Sequence, residues 1–154
     1  MLRHAKSDWP EGVADHDRPL AKRGRRDAPA VGRWLAGHGY LPEVVVCSTA
    51  RRTRQTWALV AAELTGAPSV TFDPRAYGAS AQTLLYLARE LPGECGTALL
   101  VAHNPGVSDF AGARFPTAAV AVLEFDGDWP DLEPGQARLA AFAVPADMHA
   151  AEPG

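Results

Sequence analysis

Four residues of this sequence, Arg3, His4, Arg52 and His103, are of the types that bind and transfer a tetrahedral dianion. Arginine presents a rigid fork of N–H donors matched to phosphate oxygens. Histidine donates when protonated and attacks as a nucleophile when neutral. Each of the four stands where an apolar run gives out: LRH at the start, EVVVCSTARR around Arg52, and GTALLVAH ending on His103. In open α/β sheets ligands bind outside the carboxyl ends of the strands, so these three exits would converge on one crevice. Taken singly, each signal also has a plain structural reading. Arg3 and His4 suit a charged terminus, and Arg51, Arg52 and Arg54 a solvated helix face. His103 suits a hydrogen-bonded core position and HNPG a turn. Their common place at strand ends favours the chemical reading.

The elements that would position them alternate. After LRHAKS comes a polar loop, SDWPEGVADHDRP, and then a helix from about Ala21 to Ala36, with Ala28, Val31, Trp34 and Leu35 at helical spacing. Gly24 and Pro29 weaken the start of that helix. EVVVCS reads as a buried strand, and ARRTRQTWALVAAELTG as a helix ending at Gly66. SVTFD is a short strand and AQTLLYLAREL a helix; GTALLVAH is another buried strand, and HNPGVSDFAG turns into a helical segment. TAAVAVLEFDG and ARLAAFAVP follow one another without a helix between them, which predicts an antiparallel pair. The pattern predicts a three-layer α/β sandwich: a mostly parallel central sheet, helices on both faces and an antiparallel edge, in a single domain over residues 1–154.

Composition narrows the function classes. With 15 Lys and Arg against 18 Asp and Glu, the net charge of -3 argues against a nucleic-acid binder, so anions must be held by a local basic cluster. Cys47 and Cys95 lie far apart without CxxC spacing, which predicts free thiols and a cytoplasmic, reducing location. No run approaches the ~18 apolar residues of a membrane helix, and no signal-peptide core precedes Arg3, so no membrane partner is expected. No His, Cys or Asp spacing suggests a metal site.

Together LRHAKS, CSTARRTRQT and VAHNPG resemble the motif blocks of the histidine phosphatase superfamily, whose fold is phosphoglycerate mutase-like. LRHAKSDW, DHDRPLAKRG and HNPGVSD are most similar to its SixA-type phosphohistidine phosphatases, and the similarity runs in order along nearly the whole chain. The resemblance implies that His4 is the nucleophile and becomes phosphorylated, that Arg3 and Arg52 hold the phosphoryl oxygens, and that His103 contacts the same phosphate. It carries Arg52 rather than Arg51 or Arg54, since Arg52 stands four residues after Ser48. Arg18 is a candidate anion contact or a loop anchor paired to Asp15 or Asp17, and Ser7 and Asn104 are further candidate substrate contacts. The implied substrate is a phosphohistidine-bearing protein and the product phosphate, with no cofactor and no metal. A phosphatase on small phosphoesters is the alternative. A non-catalytic phosphate-binding module is a third reading, which the intact set of four disfavours.

Many relatives in that superfamily place a general-acid glutamate after the strand matching SVTFD. Here FDPRAYGAS holds Asp73 before a proline, a turn position, and Tyr77 near where an acid would stand. An imidazole leaves more readily than an alkoxide, so the missing acid favours phosphohistidine; Asp8 or Asp15 could substitute for it. Two stretches are shorter than the resemblance leads one to expect. Only Met1 and Leu2 precede Arg3, and Gly112–Phe115 spans what is usually a longer connection. Either the protein is trimmed at both points or residues of the natural chain are missing there, and the second reading is favoured for the internal stretch.

Overall fold

A computed structural model describes residues 1–152. Among them six strands form one sheet: β1 (Leu2–Arg3), β2 (Val44–Ser48), β3 (Ser69–Asp73), β4 (Ala98–Ala102), β5 (Val120–Glu124) and β6 (Arg138–Ala143). Their spatial order is β3-β2-β4-β1-β5-β6. The first four run parallel; β5 is antiparallel to β1, and β6 to β5. The helices are α1 (Lys22–Gly37), α2 (Arg51–Ala61), α3 (Ala81–Arg89), α4 (Gly106–Ala111) and α5 (Pro145–Ala151). None of them is long and apolar enough to cross a membrane.

The pleat sends alternate residues of the central strands to opposite faces. Val45 and Cys47 of β2 and Leu99 and Val101 of β4 pack with Val31 and Leu35 of α1, Trp57 and Val60 of α2, and Met148 of α5. Their neighbours Val46, Leu100 and Ala102 pack with Leu84, Leu85 and Ala88 of α3 and Val107 of α4. Both faces are covered, which is why these strands read as unbroken apolar runs rather than alternating ones. The expected three-layer sandwich with an antiparallel edge is the fold observed.

Some boundaries differ. The second helix ends at Ala61 rather than Gly66. Glu63 N–H bonds Val60 O and Leu64 N–H bonds Ala61 O, so the last turn tightens into i−3 bonding before Gly66 takes a positive φ. α1 runs through both Gly24 and Pro29. Its buried face, Ala28, Val31 and Leu35, supplies what local propensity lacks. Gly24 is required there, since a Cβ at that position would stand 2.1 Å from Lys6 O.

β1 has two residues, yet its place is fully specified. Leu2 is buried and pairs with Val101 on one side and Val120 on the other. The hydrogen bonding continues beyond the strand: Arg3 N–H donates to Ala119 O, His4 N–H to Ala102 O, and Ala118 N–H to His4 O. His4 is therefore pinned from both sides by backbone. Ala118, fully buried, adopts φ 60 to do this, a conformation that costs a non-glycine residue and persists only when its surroundings hold it.

Candidate active site

β1, β4 and β2 are neighbours in the sheet, so their carboxyl ends deliver His4, His103 and Ser48 side by side, with Arg52 in the first turn of α2. All four side chains are buried, as polar groups are only when they are bonded or serve a site. His4, His103 and Arg52 share with Arg3 a pocket of about 280 Å³; Lys6, Trp9, Asn104 and Thr117 complete its rim along with Ser7 and Arg18.

The geometry fixes the state of His4. Its Nδ1 lies 2.7 Å from Ala5 O, an acceptor, so Nδ1 carries the proton and Nε2 keeps a lone pair. Ala5 is held in turn by Thr56 Oγ1, which accepts from Ala5 N–H at 3.0 Å and donates to Arg52 O at 2.7 Å. Burial pushes the His4 pKa down to about 3, and the nearby His103, Arg52 and Arg3 add to the shift. The ring is neutral at physiological pH.

His103 sits 5.2 Å from His4, ring centroid to centroid. Its Nε2 is 2.7 Å from Ser48 Oγ, and Arg52 Nη2 stands 3.3 Å from its Nδ1. An arginine can only donate, so Nδ1 is the acceptor and Nε2–H donates to Ser48. Burial, then Arg52, lowers the His103 pKa to about 4.

Arg3 Nη1 donates to Phe115 O at 3.0 Å, and Arg52 Nη1 to Asp15 O at 2.7 Å. The Nε–H of each is buried without a protein acceptor, and these are the only such side-chain atoms among the described residues. Two unsatisfied buried donors are a standing penalty of about 1–3 kcal/mol apiece. Burial and the neighbouring Arg52 also lower the Arg3 pKa. Two guanidinium groups facing two neutral imidazoles, with two donors unsatisfied, suit an anion.

Arg18 lines the pocket, with three of its five N–H donors taken: Nε by Asp8 O at 2.9 Å, Nη1 by Asp15 Oδ1 at 3.0 Å and Nη2 by Ser7 Oγ at 2.7 Å. Of the two expected acidic partners it takes Asp15. Ser7 is thereby an acceptor for Arg18. Asn104 Nδ2 donates to Phe115 O at 2.8 Å, the same carbonyl that holds Arg3, and its Oδ1 accepts from Ser108 at 2.7 Å. Arg51 and Arg54 are exposed on α2. Asp73 accepts from Arg75 N–H at 2.9 Å, the turn role its place before Pro74 predicts.

The sequence pointed to Asp15 as a partner of Arg18 or a substitute acid, but not as the hub of the site. Asp15, on the loop over the pocket, accepts from Arg18, from Arg52 Nη2 at 3.2 Å and from the Tyr77 hydroxyl. Tyr77 and these guanidinium groups hold its carboxyl well below the usual carboxylate range. The Tyr77 ring meets His103 edge-on at 5.5 Å and His16 at 4.9 Å, and His16 Nε2 bonds Thr49 Oγ1 at 2.9 Å. Tyr77 is 62 residues from Asp15 and Ser48 is 55 from His103, so no local pattern announces either contact. Among the described residues no group of three or more His, Cys, Asp or Glu could hold a metal ion.

Comparison with known proteins agrees with this geometry. The family model of the histidine phosphatase superfamily (branch 1) matches residues 1–76. An uncharacterised protein of Mycobacterium tuberculosis is 39% identical over 161 positions, spanning 94% of this chain and 99% of its own length. Those 161 positions exceed the chain's 154 residues, so the relative carries residues within the matched span that this chain lacks. A solved structure from Nakamurella multipartitia, provisionally named phosphohistidine phosphatase SixA, is 33% identical, with a TM-score of 0.82 over 94% of this chain and 93% of that one. The protein histidine phosphatase SixA complexed with tungstate superposes with a TM-score of 0.80 over 96% of both chains; at 22% identity it speaks for the fold alone.

Proposed function

The chain belongs to the histidine phosphatase superfamily, with SixA-type proteins among its structural neighbours, and we propose that it removes phosphate from phosphohistidine on a protein. The observation that carries this reading is the pairing of a neutral, buried His4, oriented by Ala5 O, with the buried Arg52 and the half-buried Arg3, whose Nε–H donors are both buried without acceptors. A phosphoryl group between Arg3 and Arg52 would satisfy those donors and stand against the free His4 Nε2.

The reaction has two steps. The Nε2 lone pair of His4 forms a bond to phosphorus in line, while the P–N bond to the substrate histidine breaks and its electron pair stays with the departing, protonated imidazole. Water then attacks phosphorus, the P–N bond to His4 breaks, and phosphate leaves. Arg3 and Arg52 stabilise charge on the equatorial oxygens throughout, a role that needs no metal ion. The one N–H of neutral His103 is committed to Ser48, so His103 donates to the same oxygens only when its Nδ1 takes up a proton after Arg52 turns to the phosphate.

Two features favour phosphohistidine over an ester. Expelling an alkoxide requires a delivered proton, and the carboxylate nearest Arg52, Asp15, is held ionised by three donors. Asp73 is tied to Arg75. An imidazole, with an ordinary pKa near ~6.5, leaves neutral without such help. The buried, unpaired Cys47 and Cys95 suit a reducing compartment, and the cytoplasm is the proposed location. The test is a comparison of kcat/KM on a phosphohistidine-bearing protein and on common sugar phosphates. The phosphoprotein is expected to be preferred by orders of magnitude; a preference for an ester would contradict the assignment.

A further inference from the structure

The phosphate pocket is ringed by side chains that the chemistry of phosphoryl transfer does not use. Trp9 is 75% exposed, the most exposed of the large hydrophobic side chains among the described residues, and it stands on the pocket rim. It is not a loose loop residue. Asp8 N–H bonds Pro19 O at 2.9 Å, Arg18 Nε bonds Asp8 O at 2.9 Å, and Ser7 bridges to Leu20, so the backbone leading into Trp9 is clamped. One face of the indole covers the Arg18 guanidinium, 3.2 Å from Cζ to the ring centroid, and the other meets water. A rigidly held aromatic surrenders little entropy when it is covered, the property of a binding anchor.

The rim also carries basic groups. Lys6 and Thr117 line the pocket, and Arg23 Nη2 donates to Thr117 Oγ1 at 3.3 Å. Gly24 packs against Lys6 O, which brings the start of α1 to the rim. That start, Lys22, Arg23, Arg25 and Arg26, has no acid in its first turn and no side-chain cap. Cations at the positive end of a helix dipole oppose the helix, so folding alone does not call for them. Arg23 is 3.8 Å from the buried Asp27, and among the described residues no carboxylate pairs with Lys6 or Lys22. The rim thus has two characters: an exposed indole between Asp8 and Glu11, and a basic set in which Lys6 lacks a carboxylate partner and Arg23 has only Asp27 at 3.8 Å.

We propose that this rim, with Trp9 as anchor and Lys6 and Arg23 as its basic part, is the docking surface for the protein that presents the phosphohistidine. The inference rests on the reading of the pocket given above and adds the chemistry of the partner. An apolar side chain beside the phosphohistidine covers Trp9, and carboxylates near it meet Lys6 and Arg23. Nucleic acid fits the surface less well, because Asp8 and Glu11 flanking the indole repel a phosphodiester backbone.

The test uses two substrates, a histidine-containing phosphotransfer protein phosphorylated on histidine, and phosphoramidate, which is too small to reach the rim. The readout is the ratio of their kcat/KM values. Trp9→Ala is expected to lower the protein-to-phosphoramidate ratio at least tenfold, chiefly through KM for the protein, and Trp9→Phe to recover most of it. The double variant Lys6→Ala/Arg23→Ala is expected to lower the ratio about fivefold and to flatten its salt dependence. A purely structural clasp of Trp9 on Arg18 would depress both substrates alike and leave the ratio unmoved, which would overturn the proposal. Should Trp9→Ala not fold, the double variant and its salt slope decide in the same way. A wild-type enzyme active on phosphoramidate and inert on the phosphoprotein overturns the docking surface while leaving the histidine chemistry standing; one that never phosphorylates His4 overturns both. Binding of oligodeoxythymidylate as tight as that of the unphosphorylated protein would also count against it.

Discussion

The two ends of the sheet hold two cavities of opposite character. At the carboxyl end the pocket of about 280 Å³ is walled by Arg3, His4, Arg52 and His103. At the amino end a larger cavity of about 450 Å³ is lined mainly by apolar groups, among them Leu35, Tyr40, Leu91, Leu99 and Trp129. Volume alone would choose the wrong one. The amino end has only Glu124 and Asp128 as charged side chains in its lining, whereas the carboxyl end concentrates two guanidinium groups, two imidazoles forced neutral by burial, and two donors without acceptors. A site for chemistry is marked by polar groups kept buried and incompletely satisfied, at a cost in stability that packing elsewhere offsets.

If that contrast is right, perturbing the two ends gives separable results. The largest effect is expected at His4: His4→Ala removes the nucleophile and lowers kcat by about 10⁴-fold or more, read in steady-state phosphatase assays. Arg52→Lys keeps the charge but loses the fork and the contact with Asp15, and is expected to lower kcat/KM by about 10²-fold. At the other end, Leu91→Ala truncates a buried side chain on the apolar cavity. It is expected to lower stability by about 2 kcal/mol, a fall in Tm of about 5 °C in a thermal melt, with kcat unchanged. Loss of activity comparable to that of Arg52→Lys would erase the distinction between the ends. The smallest change is expected for Tyr77→Phe, which frees one of the three donors on Asp15 and lowers kcat/KM about threefold.

The buried imidazoles also predict a pH dependence of stability. Their folded-state pKa values, about 3 for His4 and about 4 for His103, lie below the ordinary value of about 6.5. The unfolded chain therefore takes up more protons between those limits. Stability from these groups is complete above pH ~6.5 and falls as pH drops toward ~4, with a slope approaching two protons. Urea unfolding between pH 4 and 7 measures it, and His4→Gln is expected to halve the slope.

The sequence and the structure agree most closely where chemistry depends on strand ends. A parallel strand buried on both faces is an unbroken apolar run, and the first polar residue after it is the one presented at the carboxyl edge. That is how Arg3, His4, Arg52 and His103 could be read from LRH, CSTARR and VAH. The order of the sheet could not be read in the same way. β1 lies between β4 and β5 with Leu2 the one residue paired to both, a choice made by burial and not by local pattern. Asp15 was legible as a possible partner of Arg18 or a substitute acid, but not as a partner of Arg52 and Tyr77. Its role as the acceptor joining Arg18, Arg52 and Tyr77 arises from three segments meeting in space, which a single sequence does not encode in its spacing. Ser48 was legible as part of a motif but not as the brace of His103.

The claim on which the rest depends is that His4 Nε2 attacks phosphorus. It is tested most directly by mixing the protein with radiolabelled phosphoramidate, quenching within milliseconds to seconds, and measuring the phosphate bound covalently. Label that is stable in base, lost in acid, mapped to the peptide containing His4 and absent from His4→Ala is the predicted result. Turnover without such an intermediate, or label that persists in His4→Ala, would contradict it.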